Sequence, residues 1–189
     1  MKFLFVCLMA VLSLNYVKSV ELHCVFMEIE GSGYRCFVQS LTITSKNNRT
    51  ITEVIGEHQK GRTNDDVVYL FSILKTIRFL PLELATFFKN LATVRISLAG
   101  LKQIDSSDFQ QFGGVLKNIA FDNNAIQVLE ADLFQFNPNL ESIDFNTNKI
   151  VRIEDGAFDG IYNLTSLYLN DNPCIFYDDD YSWTDLVRN

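Results

Sequence analysis

The apolar residues between positions 139 and 174 follow neither the two-residue alternation of a strand nor the 3.6-residue spacing of a helix. Leu164, Leu167 and Leu169 are followed by Asn172, an L-x-x-L-x-L-x-x-N spacing. The spacing recurs at steps of 24 residues, with one step of 25 near Gly113-Gly114, so that units begin near residues 67, 91, 116, 140 and 164. The first unit is a degraded copy. Such self-similarity predicts a solenoid of about five stacked repeats over residues 67–174.

Each unit combines a short strand with a turn and an irregular return path. Side chains alternate along the strand, one inward and one outward. An inward Asn at the ninth position offers both a donor and an acceptor to buried turn backbone, which predicts a structural ladder of Asn124, Asn148 and Asn172. A second inward column, Phe109, Phe134 and Phe158, predicts an aromatic spine towards the convex side.

The segments before and after the repeats have different predicted roles. Residues 1–19 join a basic start, a short apolar run and small residues near the end, which is typical of a secretory signal peptide. Residues 20–66 alternate in polarity and form a predicted N-terminal β cap. Residues 175–189 form a predicted short C-terminal cap, in which Trp183, Leu186 and Val187 stand at helical spacing.

Three cysteines follow the predicted signal peptide. Cys24 and Cys36 flank a segment with Gly31-Ser32-Gly33 at its centre, which predicts a hairpin closed by a disulfide. Cys174 occupies a position where other repeats have Ile or Leu, so it is expected to be a small buried hydrophobe with an unpaired thiol. The alternative for Cys174 is an intermolecular disulfide, although a homodimer is not favoured.

The sequence resembles the extracellular leucine-rich repeat superfamily, which includes Toll ectodomains, Slit and the small proteoglycans. The segments TNDDV, FLP, FFKNL, FNPNLESIDFNTNKI and NDNPC are most similar to short secreted insect members, and the resemblance covers roughly residues 24–175. It implies an α/β-type repeat solenoid, a curved leucine-rich repeat with short parallel strands on the concave face and a mostly irregular or 3-10 convex side. It also implies a secreted, extracellular recognition protein.

Net charge and the absence of known motifs argue against several classes of function. Loss of Lys2 and Lys18 with the signal peptide leaves 14 basic residues against 23 acidic ones, a formal charge of −9, which argues against nucleic-acid partners. No further segment is apolar enough for a membrane span. The two histidines lie in no catalytic or metal-binding motif, so we expect neither an enzyme nor a cofactor or metal site. Asn48-Arg49-Thr50 and Asn163-Leu164-Thr165 are glycosylation sequons.

The outward strand positions are the candidate binding surface, because solenoids use their concave faces for recognition. An apolar end containing Ile73 precedes a polar, acidic end, unless the N-terminal aromatics are covered by the cap or misregistered. The candidate contact residues are Tyr69, Phe71, Arg95, Asn118, Asp122, Asp144, Asn146, Tyr168 and Asn170. We therefore expect a non-enzymatic module that binds another protein, or a glycan, in innate immunity or extracellular signalling. The alternative is a self-associating structural or matrix component.

Overall fold

The computed structural model describes residues 19–173, so the predicted signal peptide up to residue 18, Cys174 and the predicted C-terminal cap lie outside the described residues. Short strands dominate the described part, with two helices of a single turn and two 3-10 turns. The strands are β1 (Val20–Ile29), β2 (Gly33–Ser40), β3 (Thr42–Ile43), β4 (Ile51–Ile55), β5 (Tyr69–Ile73), β6 (Thr76–Ile77), β7 (Thr93–Ser97), β8 (Asn118–Ala120), β9 (Val128–Leu129), β10 (Ser142–Asp144), β11 (Arg152–Ile153) and β12 (Ser166–Tyr168). The helices are α1 (Leu84–Phe87) and α2 (Ser106–Gln110), and the 3-10 turns are Asn64–Asp66 and Gly113–Val115.

Eight of the strands form one sheet, in the order β12-β10-β8-β7-β5-β2-β1-β4. All neighbours pair in parallel except β1 and β2, which form an antiparallel hairpin. Tyr69 pairs with Thr93, Thr93 with Asn118, Asn118 with Ser142, and Ser142 with Ser166. These steps of 24 or 25 residues are those of the sequence pattern. The predicted solenoid with parallel strands on one face is therefore confirmed.

The N-terminal hairpin continues the sheet of the repeats. Cys24 and Cys36 form the predicted disulfide, with their Cα atoms 5.2 Å apart. The hairpin turns where the Ser32 amide donates to the Ile29 carbonyl at 2.9 Å, and Gly31 has a φ of 72° that favours glycine. Strand β2 then pairs in parallel with β5. The cap therefore supplies one edge of the curved sheet as well as closing the apolar core.

The asparagine ladder satisfies backbone groups inside the turns. The Asn124 side chain accepts from the amides of Ala99 and Leu101, both at 3.1 Å, and donates to the Ile96 carbonyl at 2.7 Å. Asn148 repeats this arrangement one coil later, where its Oδ1 accepts from the Ile126 amide at 3.1 Å. Asn172 bonds the coil before its own in the same way, accepting from the Ile150 amide and donating to the Phe145 carbonyl. Buried backbone groups that would otherwise be unpaired are thus bonded coil by coil.

The phenylalanine spine is a continuous stack in the core. Phe109 and Phe134 are fully buried with ring centroids 5.1 Å apart, and Phe158 follows at 6.1 Å from Phe134. Phe121 and Phe145, from the strand side of the coils, join this stack at centroid distances of 6.1–6.4 Å. The spine is therefore a double column that couples the sheet to the convex side.

A left-handed residue opens each turn directly before the ladder position. These residues share positive φ values of 53–58°, and they are Leu74, Leu98, Asn123, Thr147 and Asp171. Left-handed backbone costs about 1–2 kcal/mol for most L-residues, whereas Asn and Asp tolerate it through local hydrogen bonds. Leu74, Leu98 and the β-branched Thr147 lack this compensation, so the turns that contain them are the more strained ones.

A buried ion pair fastens the cap to the convex side of the repeats. Arg49 lies between β3 and β4, and its guanidinium donates to Asp108 of α2 and to the Leu80 carbonyl at 3.1 Å. Arg49 and Asp108 are 7% and 1% exposed. Burial raises the pKa of Asp108, although the hydrogen bond and charge of Arg49 act in the opposite direction. Removal of either partner would leave a buried charge uncompensated.

Candidate functional site

The outward side chains of the large sheet form rows that run across the strands. One row passes from Met27 and Arg35 through Tyr69, Thr93, Asn118 and Ser142 to Ser166. The next row contains Val25, Phe37, Phe71, Arg95, Ala120, Asp144 and Tyr168. The intervening strand residues are buried, except that Leu167 in β12 is partly buried against the core, which fixes these rows on the opposite, concave face.

The N-terminal half of this face is aromatic, aliphatic and cationic. We call it the aromatic–arginine patch, and it consists of Val25, Met27, Arg35, Phe37, Tyr69, Phe71, Ile73 and Arg95. Val25 and Ile73 are 37% and 38% exposed, and the other members are partly exposed. The cap strands β1 and β2 lie beside β5 in the same sheet instead of over it. Within residues 19–173, the cap therefore does not cover the aromatics, which remain partly exposed.

Stacking contacts hold the patch side chains in place. The Arg35 guanidinium lies 4.4 Å from the Tyr69 ring centroid and 6.0 Å from that of Phe37. Phe37 and Phe71 meet edge to face at 5.1 Å, and Arg95 lies 5.6 Å from the Phe71 centroid. Cation–π and edge-to-face contacts each favour one arrangement, so the patch is ordered before any partner arrives.

The C-terminal half of the face is polar. Asn118, Asp144 and Asn146 are partly exposed, whereas Asn170 is exposed and Tyr168 is 46% exposed. The Asn170 amide donates to Asn146 Oδ1 at 2.8 Å, so the Asn146 side chain also orders the neighbouring coil. The structure brings these predicted contact residues onto one surface with the aromatic–arginine patch.

Asp122 differs from the other predicted contact residues because its side chain points into a network of the protein itself. It is 9% exposed, accepts from Ser97 Oγ at 2.6 Å and from Asn123 Nδ2 at 2.9 Å, and lies 3.3 Å from Arg95 Nη2. Burial alone would raise the pKa of Asp122, but these hydrogen bonds and the Arg95 charge outweigh it and lower that pKa. Asp122 is thus a structural carboxylate rather than an open contact.

The sequence reasoning missed the part of the patch contributed by the cap. Arg35 and Phe37 were assigned only to the N-terminal cap. Because Cys36 and Val38 are the buried residues of strand β2, the alternation places Arg35 and Phe37 on its outward side. That alternation was the available signal. What the sequence did not show was that β2 pairs with β5 and so shares its concave face.

The remaining predicted sites lie away from the concave rows. Asn163 is exposed before β12, with its Nδ2 3.3 Å from the Pro138 carbonyl, and Asn48 is half-buried in the turn between β3 and β4. His58 bonds Tyr34 and Asn64 at 3.1 and 2.9 Å. Residues 19–173 bring together no group of three or more His, Cys, Asp or Glu side chains suited to a metal ion. Among these residues no helix has the length and apolar character needed to cross a membrane.

Comparison with known proteins identifies the repeats. Residues 115–173 match the family described as leucine rich repeat. A search of curated proteins gave no significant match. The structure of a complex of TLR13 with ssRNA13 aligns with a TM-score of 0.53 and 23% identity over 65% of this chain, which shows a shared fold.

Two other solved structures are similar over part of their length. The Toll–Spatzle complex of Drosophila matches with a TM-score of 0.47 and 25% identity over 57% of this chain, and the mouse RP105/MD-1 complex with 0.49 and 13% over 72%. The matched regions span only 18%, 18% and 29% of the TLR13, Toll and RP105/MD-1 chains. The narrower resemblance to insect proteins stays a prediction. The family match shows leucine-rich repeats over residues 115–173, and the strand register together with the fold shared with TLR13 shows that the described chain is folded as a leucine-rich repeat solenoid.

Proposed function

We propose that this protein is a secreted, non-enzymatic recognition protein that binds another protein through the concave face of its sheet. The observation that carries the proposal is the aromatic–arginine patch. Its rings and guanidinium groups are partly exposed to solvent, although they lie on the face of the sheet opposite the core. Tyr and Arg are enriched among the residues that dominate binding energy at protein interfaces.

The surface is also rigid, which lowers the entropic cost of binding. Each outward side chain stands on a strand whose neighbours are buried and hydrogen-bonded in register. The curvature of the sheet presents the patch and its polar continuation to the same partner. A flat or convex surface of equal area would contact a globular partner over fewer strands.

Two features of the chain support secretion. The disulfide between Cys24 and Cys36 belongs to an oxidising compartment, and the first residues have the pattern of a signal peptide. The two sequons lie in loops rather than on the strands of the sheet. Glycans at Asn48 and Asn163 would therefore leave the concave rows accessible.

Binding without chemical conversion is favoured by how the titratable groups are used. His58 is held between Tyr34 and Asn64, and Asp122 is held by Ser97 and Asn123. These side chains satisfy each other and do not converge on a cleft.

The proposal is tested by affinity capture from the extracellular fluid of the source, with mass spectrometry. The wild type is compared with Phe71→Ala and Tyr168→Ala, which alter opposite halves of the concave face. Tyr162→Ala is the matched control, because Tyr162 is 92% exposed but lies outside the strands of the sheet. We expect a partner retained by the wild type and the control and depleted by at least one concave variant.

Retention of every partner by both concave variants would contradict the proposal. Recovery of only the protein itself, with a disulfide-linked species on non-reducing gels, would favour the self-associating structural component instead.

A further inference from the structure

We infer that the aromatic–arginine patch recognises a segment of a partner protein that carries a carboxylate beside an apolar or aromatic side chain. Arg35 would bind the carboxylate, and the rings and aliphatic side chains around it would contact the apolar residue. The inference rests on the proposed function, because it names the partner chemistry for one half of the concave face.

Within the part of the chain that the structure describes, the guanidinium of Arg35 leaves most of its hydrogen-bonding capacity unused. Its one hydrogen bond to these residues is a long contact of 3.4 Å from Nη2 to the Ser32 carbonyl. Its Nε is shielded from solvent and has no acceptor among the described residues. No Asp or Glu of residues 19–173 lies within salt-bridge distance of it, whereas Arg95 on the same face is paired with Asp122 at 3.3 Å. A fixed, unpaired cation in a chain of formal charge −7 points to an external anion.

The orientation of Arg35 suits a carboxylate in particular. Its guanidinium carbon lies over the Tyr69 ring, 4.4 Å from the ring centroid. This contact leaves the two Nη groups as donors, and such a pair of donors matches the two oxygens of a carboxylate. Because stacking also restrains the arginine side chain, less rotamer entropy is lost when the acid binds.

The surroundings of Arg35 call for an apolar neighbour of that acid. Phe37 and Phe71 are in edge-to-face contact beside it, and Val25 and Ile73 are both more than a third exposed at the margins. The patch spans the four adjacent strands β7, β5, β2 and β1, which is about 14 Å. An extended segment of about four residues covers this distance.

Charge separates this partner from a polyanion such as a nucleic acid. Tight binding to a phosphate backbone requires several free cations, because each neutralised phosphate adds to the affinity. In the patch, Arg95 is already neutralised by Asp122, so Arg35 supplies the single uncompensated charge among its eight residues. One carboxylate with an apolar neighbour matches that balance.

The experiment selects random peptides displayed on phage against the immobilised, disulfide-intact full chain. Binding of the recovered peptides is then measured in solution with the wild type, with Arg35→Gln and Phe71→Ala, and with Tyr168→Ala in the polar half of the concave face. The matched control is Tyr162→Ala, because Tyr162 is exposed but lies outside the strands of the sheet. We expect Asp or Glu next to Phe, Tyr, Trp or Leu in the recovered peptides. Affinity should fall about tenfold or more with Arg35→Gln and with Phe71→Ala, and should change less than about twofold with the control.

Coupling identifies the contact itself. Replacing the peptide carboxylate by its amide should weaken binding to the wild type by about tenfold, yet have little effect on binding to Arg35→Gln. The Arg35→Glu variant should instead select peptides with Lys or Arg. Thermal unfolding of each variant shows whether the fold is retained, and the charge-reversed selection requires a folded protein.

Three results would overturn the inference. Recovered peptides without a carboxylate would do so, as would an amide replacement whose effect simply adds to that of Arg35→Gln. Tighter binding of a synthetic peptide of residues 175–189, which contains Asp178-Asp179-Asp180 followed by Tyr181 and Trp183, would assign the patch to this chain's own sequence. If Tyr168→Ala weakens binding of the selected peptides and the patch variants do not, the inference fails but the proposed function survives. If no concave substitution weakens peptide binding, both fail.

Discussion

Replacement of Phe134 by Ala is expected to be among the most destabilising single changes in the repeats. Phe134 is fully buried, and its ring lies 5.1 Å from Phe109, 6.1 Å from Phe158 and 6.4 Å from Phe145. Truncation removes the buried ring and leaves a cavity in the middle of the double column. Phe→Ala changes in such cores cost about 3–5 kcal/mol. With a urea m-value of about 2 kcal/mol/M, the midpoint should fall by about 1.5–2.5 M.

The assay is urea unfolding of the mature protein, followed by far-UV circular dichroism. Phe136→Ala is the matched control, since Phe136 stands two positions away and is 36% exposed. Its effect should stay within about 0.5–1 kcal/mol, in the range of surface changes. If Phe134→Ala shifts the midpoint no more than Phe136→Ala, the packed spine described here is refuted. A drop in the m-value would show instead that the coils had lost their cooperativity.

Further predictions concern the asparagine ladder, the buried ion pair, the loss of stability at acidic pH and one glycosylation sequon. Asn148→Ala should lower the free energy of unfolding by about 2–4 kcal/mol in the same urea assay, because it leaves buried amides and carbonyls unpaired. Arg49→Met should cost about 3–5 kcal/mol, and adding Asp108→Leu should restore most of it, which a double-mutant cycle measures. Since the folded-state pKa of Asp122 is lowered, its stabilising contribution is present above the unfolded value of 3.8 and is lost as the pH falls through the folded pKa. Asp122→Asn should therefore lose less stability than the wild type between pH 5 and pH 2 in thermal melts. An equal loss in the two proteins would contradict this. For secreted protein, Asn163→Gln should remove one glycan, seen as a smaller mass shift on glycosidase treatment.

The repeats could be predicted from the sequence because every coil buries side chains at the same positions. Leu140 and Leu164 are buried two residues before the equivalent strands β10 and β12, and Asn148 and Asn172 make equivalent hydrogen bonds. The ion pair between Arg49 and Asp108 could not be predicted in this way, because its partners are 59 residues apart and no coil within residues 19–173 repeats it. A periodic pattern predicts the contacts that recur in every coil, but it does not predict a contact that is made only once.

The concave site was predictable only in part for a related reason. Strand alternation correctly gave Tyr69 and Phe71 an outward direction, since it depends on local geometry alone. The neighbours of these residues depend on which strand pairs with β5, and that is a tertiary choice. Arg35 and Phe37 therefore joined the patch only when the structure placed β2 beside β5. Asp122 fails as an open contact for the same kind of reason, because Ser97 belongs to another coil.

The disulfide hairpin also has a consequence for how the chain acquires its structure. A solenoid can nucleate at any repeat and then grows by adding coils to an existing edge, so the unfavourable step is the formation of the first template. Here β1 and β2 are joined by a short turn and a covalent link, so the template closes over only 12 residues. Synthesis delivers this segment before any repeat, and β5 then finds a finished strand edge to pair with. We therefore expect the repeats to fold in order from the disulfide-closed N-terminal hairpin towards the C-terminus.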